Sequence, residues 1–246
     1  MGVLDDLLLS LTVDAPVQEV RTCVHWTAAV SRSCGLASSI VGEAHSHGHQ
    51  SVRGVGELHR RTARELAELA RSERLLEASI GVAAINSLIE VPQERCVELN
   101  AEDWLAERGR GKSVAIIGSF PFVSRLRERV GTLWVLEKRP GEGELTADEA
   151  SRILPRADVV AITGTALINH TLDELLDLCR PETSVMVLGP STPLSPILFD
   201  HGVDVVSGTL VVDTDLVLTL IGQGATFRQV KGPGVRLLTM ASSAQE

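Results

Sequence analysis

This 246-residue sequence predicts an α/β fold in which a parallel sheet follows a smaller α+β unit. Three observations carry that expectation. From residue 113 onward, short apolar runs alternate with helical stretches at the spacing of successive βαβ units. Ahead of them, a strand-like segment with turn residues leads into two amphipathic helices. Between the two parts, Gly109-Arg110-Gly111-Lys112 marks a boundary, giving one unit at 1–108 and a second at 109–246.

Residues 3–11 read as a short amphipathic helix. Val20, Thr22, Val24, Trp26 and Ala28 alternate as a strand does, turn chemistry fills 31–35, and 36–41 can return as a second strand. The expectation is an antiparallel meander of two or three strands. A polar loop over 42–56 carries His45, His47 and His49. Two helices follow at 57–72 and 73–91, the second ended by Pro92. Its small residues Gly81, Ala83 and Ala84 imply close packing on a neighbour. A connector with a short helix near 103–107 leads to the boundary.

Strands are then expected at 113–117, 133–136, 159–162, 184–188 and 203–206. Helical segments alternate with them at 121–130, 146–154, 171–179, 196–200 and 214–221. Apolar strands of this kind are buried on both faces, so the sheet is parallel, covered by helices on both sides, and Rossmann-like.

Composition narrows the function. A net charge of −9 opposes polyanions, and with 3% aromatics there are few rings for stacking bases, so nucleic acid is not an expected partner. Four scattered cysteines form neither a C-x-x-C pair nor a disulfide framework and read as small reduced hydrophobes. The acidic N-terminus does not resemble a secretory signal, and no apolar run is long enough for a membrane helix. A cytoplasmic protein with no membrane partner is expected, with a homo-oligomer left open.

In open parallel sheets, ligands bind beyond the carboxyl ends of the strands, where the strand order reverses. In this sequence Gly118-Ser119-Phe120-Pro121 follows the first strand and Glu137-Lys138 the second. Thr163-Gly164-Thr165 follows the third, with Asn169 and Thr171 beyond, and Gly189-Pro190-Ser191-Thr192 follows the fourth. Glycines and hydroxyls at loop starts also serve ordinary turns and caps. Together on one edge they favour a site, and Ser191 and Thr192 suit an anionic group at a helix start. Glu137 lies where such domains often place the acid that binds ribose hydroxyls, and its alternative is a surface ion pair with Lys138 or Arg139. Phe120 and Pro121 replace the glycine fingerprint that a pyrophosphate needs, which disfavours NAD. No P-loop occurs, which disfavours ATP hydrolysis. His45, His47 and His49 offer imidazoles to a transition metal, or else form a solvated loop. Asn86, on a small apolar helix face, is either a buried hydrogen-bonding residue or part of an interdomain cleft.

Five segments in order, Gly81-Val-Ala-Ala-Ile-Asn86, Ile117-Gly-Ser-Phe-Pro-Phe-Val123, Val135-Leu-Glu-Lys138, Thr163-Gly-Thr-Ala-Leu-Ile-Asn169 and Leu188-Gly-Pro-Ser-Thr-Pro-Leu194, resemble a family named for heavy-metal chelation. The resemblance covers nearly the whole chain. It implies an enolase N-terminal-like α+β domain joined to a Rossmann-like domain, with a site in the cleft between them. Carried over by motif, that site comprises Asn86, Ser119, Glu137, Thr165, Asn169, Ser191 and Thr192, and the strand-end reading adds Thr163 and Gly189. Members often have His at the position of Ser119, so a role held by that His is in doubt in this chain. The expected function is binding or processing of a metal, or of a small metal-chelating molecule. The alternatives are an enzyme using a nucleoside-containing cofactor such as S-adenosylmethionine, and a non-catalytic small-molecule sensor or carrier.

Overall fold

The computed structural model describes residues 2–41 and 51–242, so His45, His47 and His49 lie outside the described residues. The first unit begins with α1 (Val3–Ser10), followed by β1 (Glu19–Thr22), β2 (Trp26–Val30) and β3 (Cys34–Ser38), an antiparallel sheet in that order. The alternating run expected to be one strand turns back at Cys23–His25, where the Cys23 amide bonds the Trp26 carbonyl at 2.8 Å and Val24 sits exposed at the tip. All of β2 is buried, because both faces of this small sheet are covered. Ala29 joins the main core with α3 (Leu75–Leu88), while Trp26, Ala28 and Val30 pack against residues 217–235.

The helix expected over 57–72 is broken. Thr62 is extended and caps α2 (Ala63–Ala67) in a capping box, accepting from the Glu65 amide while Glu65 reaches back to the Thr62 amide. That reciprocal pairing restarts the helix where a continuous one would have to place Thr62 in its interior. The small-residue stripe on α3 does pack closely. A Cβ on Gly81 would lie 1.9 Å from the Ala70 nitrogen, and one on Gly35 would lie 2.1 Å from the Ala83 carbonyl oxygen.

After α4 (Ala101–Arg108), the second unit runs β4 (Ser113–Ile117), α5 (Val123–Arg127), β5 (Thr132–Glu137), β6 (Leu145–Thr146), α6 (Ala150–Ile153) and β7 (Val159–Thr163). It continues through α7 (Thr165–Ile168), α8 (Leu172–Asp177), β8 (Ser184–Leu188), β9 (Val205–Val211), α9 (Thr214–Gly222), α10 (Phe227–Val230) and β10 (Val235–Ala241). These strands form a seven-stranded sheet in the order β10-β9-β8-β7-β4-β5-β6, parallel except for β10. β10 was not anticipated, and pairing with it extends β9 to Val211. Side chains alternate across the sheet: Val114 and Ile116 face a cluster with Leu105 of α4 and Leu126 of α5, while Ala115 and Ile117 face the other side.

That second face merges with the first unit. Val3, Leu7, Ile80 and Ile85 share one buried cluster with Ile162, Val187 and Leu198. Polar contacts reinforce the join. The Trp26 indole donates to the Ala225 carbonyl at 2.9 Å, the Val3 amide donates to Asp173 at 2.8 Å, and His201 lies 2.9 Å from Asp6. No helix among the described residues is long and apolar enough to cross a membrane.

Candidate functional site

After β4 the chain passes outward through β5 and β6 and then crosses back to β7, so the strand order reverses between β4 and β7. The parallel registers align the strand ends. Ile117 pairs with both Leu136 and Ile162, so Gly118 stands level with Glu137 on one side and Thr163 on the other. Gly118 has φ +106°, and a Cβ there would come within 3.0 Å of the Thr163 side chain, so the turn needs glycine twice over. Phe120 and Phe122 stack beside it with ring centres 5.3 Å apart. Ser119 is exposed at the turn, and Glu137 is half-buried with one carboxylate oxygen 3.0 Å from the Lys138 amide.

Beyond β7, the Thr163 and Thr165 hydroxyls lie 3.0 Å apart. Asn169 is fixed once its amide is oriented so that each donor meets an acceptor. Its nitrogen then donates to Thr171 Oγ1 at 2.6 Å and to the Ala166 carbonyl at 3.3 Å, and its oxygen accepts from Lys138 Nζ at 3.2 Å. His170, with φ +59°, is the one non-glycine residue in the left-handed region among the described residues. Its ring nitrogen Nε2 lies 3.0 Å from the Ser72 carbonyl oxygen of the first unit. The chain is thus turned at His170 and tethered there. A cavity of about 250 Å³ lies against His170 and is lined also by Arg71, Leu167 and Asp173.

The other expected residues sit differently. Ser191 and Thr192 are 1% and 2% exposed rather than open to a ligand. The Ser191 hydroxyl accepts from the Ser38 amide at 2.9 Å and lies 3.2 Å from the Ser38 hydroxyl. Asn86 Nδ2 donates to the Leu36 carbonyl at 2.8 Å and reaches the Ser191 carbonyl at 3.5 Å. These three residues knit β3 and α3 to the loop after β8. Nor does that loop cap a helix at Ser191 or Thr192, since the next helical turn, Pro196–His201, is capped by Ser195. The loop comes down because glycines lie beneath it: a Cβ on Gly164 would lie 2.4 Å from Thr192 Oγ1, and one on Gly208 would lie 2.5 Å from the Thr192 carbonyl oxygen. Thr192 Oγ1 is left buried with no hydrogen-bond partner. Gly189, at φ +113°, lets the chain leave β8 toward this loop. The candidate residues therefore divide into a strand-end group, Ser119, Glu137, Thr163, Thr165 and Asn169, and a group at the join of the two units, the buried Ser191 and Thr192 with the half-buried Asn86. Lys138, present in the strand-end pair Glu137-Lys138 but not among the expected site residues, joins β5 to Asn169 through its amine; its position one past a strand end was the available signal.

A family model described as "Putative heavy-metal chelation" (DUF364) matches residues 100–240, and a second with the same description (DUF4213) matches residues 4–89. The chain belongs to this heavy-metal chelation family. Within the DUF364 family it is similar to a protein of unknown function from Desulfitobacterium hafniense DCB-2, with 26% identity, 98% of each chain covered and a TM-score of 0.85. Another DUF364 structure, from Pyrococcus horikoshii, shares the fold at 17% identity, with 98% of each chain covered and a TM-score of 0.79. An uncharacterized protein of Methanocaldococcus jannaschii is 27% identical over 210 residues, spanning 82% of this chain and 79% of its own.

A bare heavy-metal ion does not fit the groups at these strand ends. Soft metals select thiolates and imidazoles, whereas Glu137, Asn169, Thr163 and Thr165 offer one carboxylate and neutral oxygens. Burial pushes the Cys34 thiol up to about 12, with help from Glu19, and the Cys179 thiol up to about 11, so neither is a ready thiolate. Among the described residues no group of three His, Cys, Asp or Glu side chains could hold a metal.

Proposed function

We propose that this chain binds a small organic metal-chelating molecule, free or carrying its metal, at the ends of β4, β5 and β7. The observation that carries the reading is the hydrogen-bonding set at the point of strand reversal: Glu137, Lys138, Asn169 and the Thr163–Thr165 hydroxyl pair. Groups of this kind recognise the polar periphery of an organic molecule, which would hold the metal itself. The reading takes the second unit as Rossmann-like and the first as enolase N-terminal-like, with 1–108 and 109–246 as their extents and α4 packed on the second unit's sheet. Asn86 and Ser191 contribute by holding the two units together, and Gly189 and Thr192 by seating the loop between them.

Calorimetry tests this directly. Zn²⁺ alone and as organic chelates would be titrated into the full chain, into Glu137→Gln and Asn169→Ala, and into a variant with His45, His47 and His49 changed to Ala. The expected result is one-to-one binding of a chelate, lost in the two strand-end variants and kept in the histidine variant. Absence of heat from every chelate would sink the reading, and tight binding of Zn²⁺ alone that depends on the histidines would replace it.

A nucleoside-containing cofactor is the second reading, favoured by the half-buried Glu137 carboxylate at the end of the strand beside β4. Its test is titration with S-adenosylmethionine. Heat that disappears in Glu137→Ala would move the account to that class.

A further inference from the structure

We propose that the bound molecule presents a carboxylate to Lys138, so that the ligand class is a hydroxy- or amino-polycarboxylate chelator. The inference rests on the chelate reading above and narrows it. The chain carries only three lysines, Lys112, Lys138 and Lys231, among its 23 basic residues. Its ion pairs among the described residues are made by arginines and by His201, as in Arg53–Glu77, Arg125–Glu102 and His201–Asp6. Lys138 stands apart from them: its ammonium reaches the Asn169 amide oxygen at 3.2 Å, a neutral acceptor. An ammonium has three donors, so donors remain beyond the one given to Asn169.

Asn169 is in turn held from two directions, by Thr171 Oγ1 and by the Ala166 carbonyl, and the left-handed turn at His170 fixes the chain immediately after it. The arrangement holds a compact positive charge at the level of the strand ends, reaching from the end of β5 to Asn169 beyond β7. A carboxylate suits that charge because hydrogen bonds to ionised groups are roughly twice as strong as neutral ones. Glu137 in the same row repels a bare carboxylate, and a chelate offsets this by bringing its own positive charge, a metal ion or a protonated amine. A neutral aromatic chelator would leave Lys138 without its partner.

The test is calorimetry of the full chain with three zinc complexes: zinc citrate, zinc iminodiacetate and zinc 1,10-phenanthroline, the last having no carboxylate. Lys138→Met keeps most of the stem and removes the charge, and Lys138→Arg keeps the charge. We expect wild type to bind one or both carboxylate complexes and to discriminate against the phenanthroline complex. Lys138→Met should weaken the carboxylate complexes about tenfold or more, and Lys138→Arg by less. Equal carboxylate affinity in Lys138→Met, or preference for the phenanthroline complex, overturns the carboxylate assignment while leaving the chelate reading standing. Failure of all three complexes to bind overturns both.

Discussion

Glu77 has no exposed side-chain surface, yet it carries a charge that the fold supports from several sides. It accepts from the Arg53 amide at 2.7 Å, from the Arg53 guanidinium at 2.8 Å and from the Ser72 hydroxyl at 2.6 Å, and so fastens residue 53 to the start of α3. Burial alone would raise its pKa. The hydrogen bonds from Arg53 and Ser72 outweigh burial and bring it from 4.5 down to about 2. Since the folded-state value is depressed, the stabilisation is fully present above pH 4.5 and is lost as pH falls toward 2. The full difference corresponds to about 3 kcal/mol, and screening of the largely exposed Arg53 reduces this to about 2 kcal/mol. Glu77→Gln should therefore unfold more easily in urea at pH 7 by about 2 kcal/mol, followed by tryptophan fluorescence. Repeated at pH 3, the gap between wild type and variant should shrink to less than half. A variant within 0.5 kcal/mol of wild type at pH 7 (about the floor for surface changes), or a gap that does not narrow with acid, would refute the reasoning.

Other substitutions probe how the strand ends are built. Gly164→Ala places a methyl group against Thr192 Oγ1 and the Thr192 nitrogen, 2.4 and 2.6 Å away, and should cost about 1–3 kcal/mol by displacing the loop after β8. An unchanged melting temperature would show that the loop is not pressed onto this strand end. Ser191→Ala deprives the Ser38 amide of its acceptor and should cost about 1 kcal/mol in thermal unfolding while leaving chelate affinity intact. Lost affinity at unchanged stability would instead make Ser191 a ligand contact. His170→Gly and His170→Ala both remove the ring, so their difference isolates the backbone. Because φ is +59°, the glycine variant should be the more stable by about 1 kcal/mol, and equal stability would contradict a strained turn.

Much of the second unit was legible because its strands are local, continuous and apolar. The expected 113–117 and 184–188 coincide with β4 and β8. Their carboxyl ends could be listed as a ligand edge before any contact was known, since a parallel sheet puts them all on one side. β10 was not legible, because its partner β9 and their antiparallel register are non-local. The broken helix at Thr62 was missed for a different reason: the apolar period runs through it, and only the cap with Glu65 decides against continuity. At the site, Ser191 and Thr192 read as hydroxyls beside turn residues, which is correct locally. Their burial depends on Ser38, 153 positions away, and on Gly164 and Gly208 beneath the loop. The contact between Lys138 and Asn169 likewise joins two loops that only the strand order brings together.

The central claim, a chelate bound where the strand order reverses, is tested most directly by anomalous diffraction from crystals of the full chain soaked with zinc citrate. The account predicts a zinc peak beyond the ends of β4, β5 and β7, with the organic ligand in contact with Lys138 and near Glu137 and Asn169. A peak confined to His45, His47 and His49, or zinc bound without the organic molecule, would contradict it.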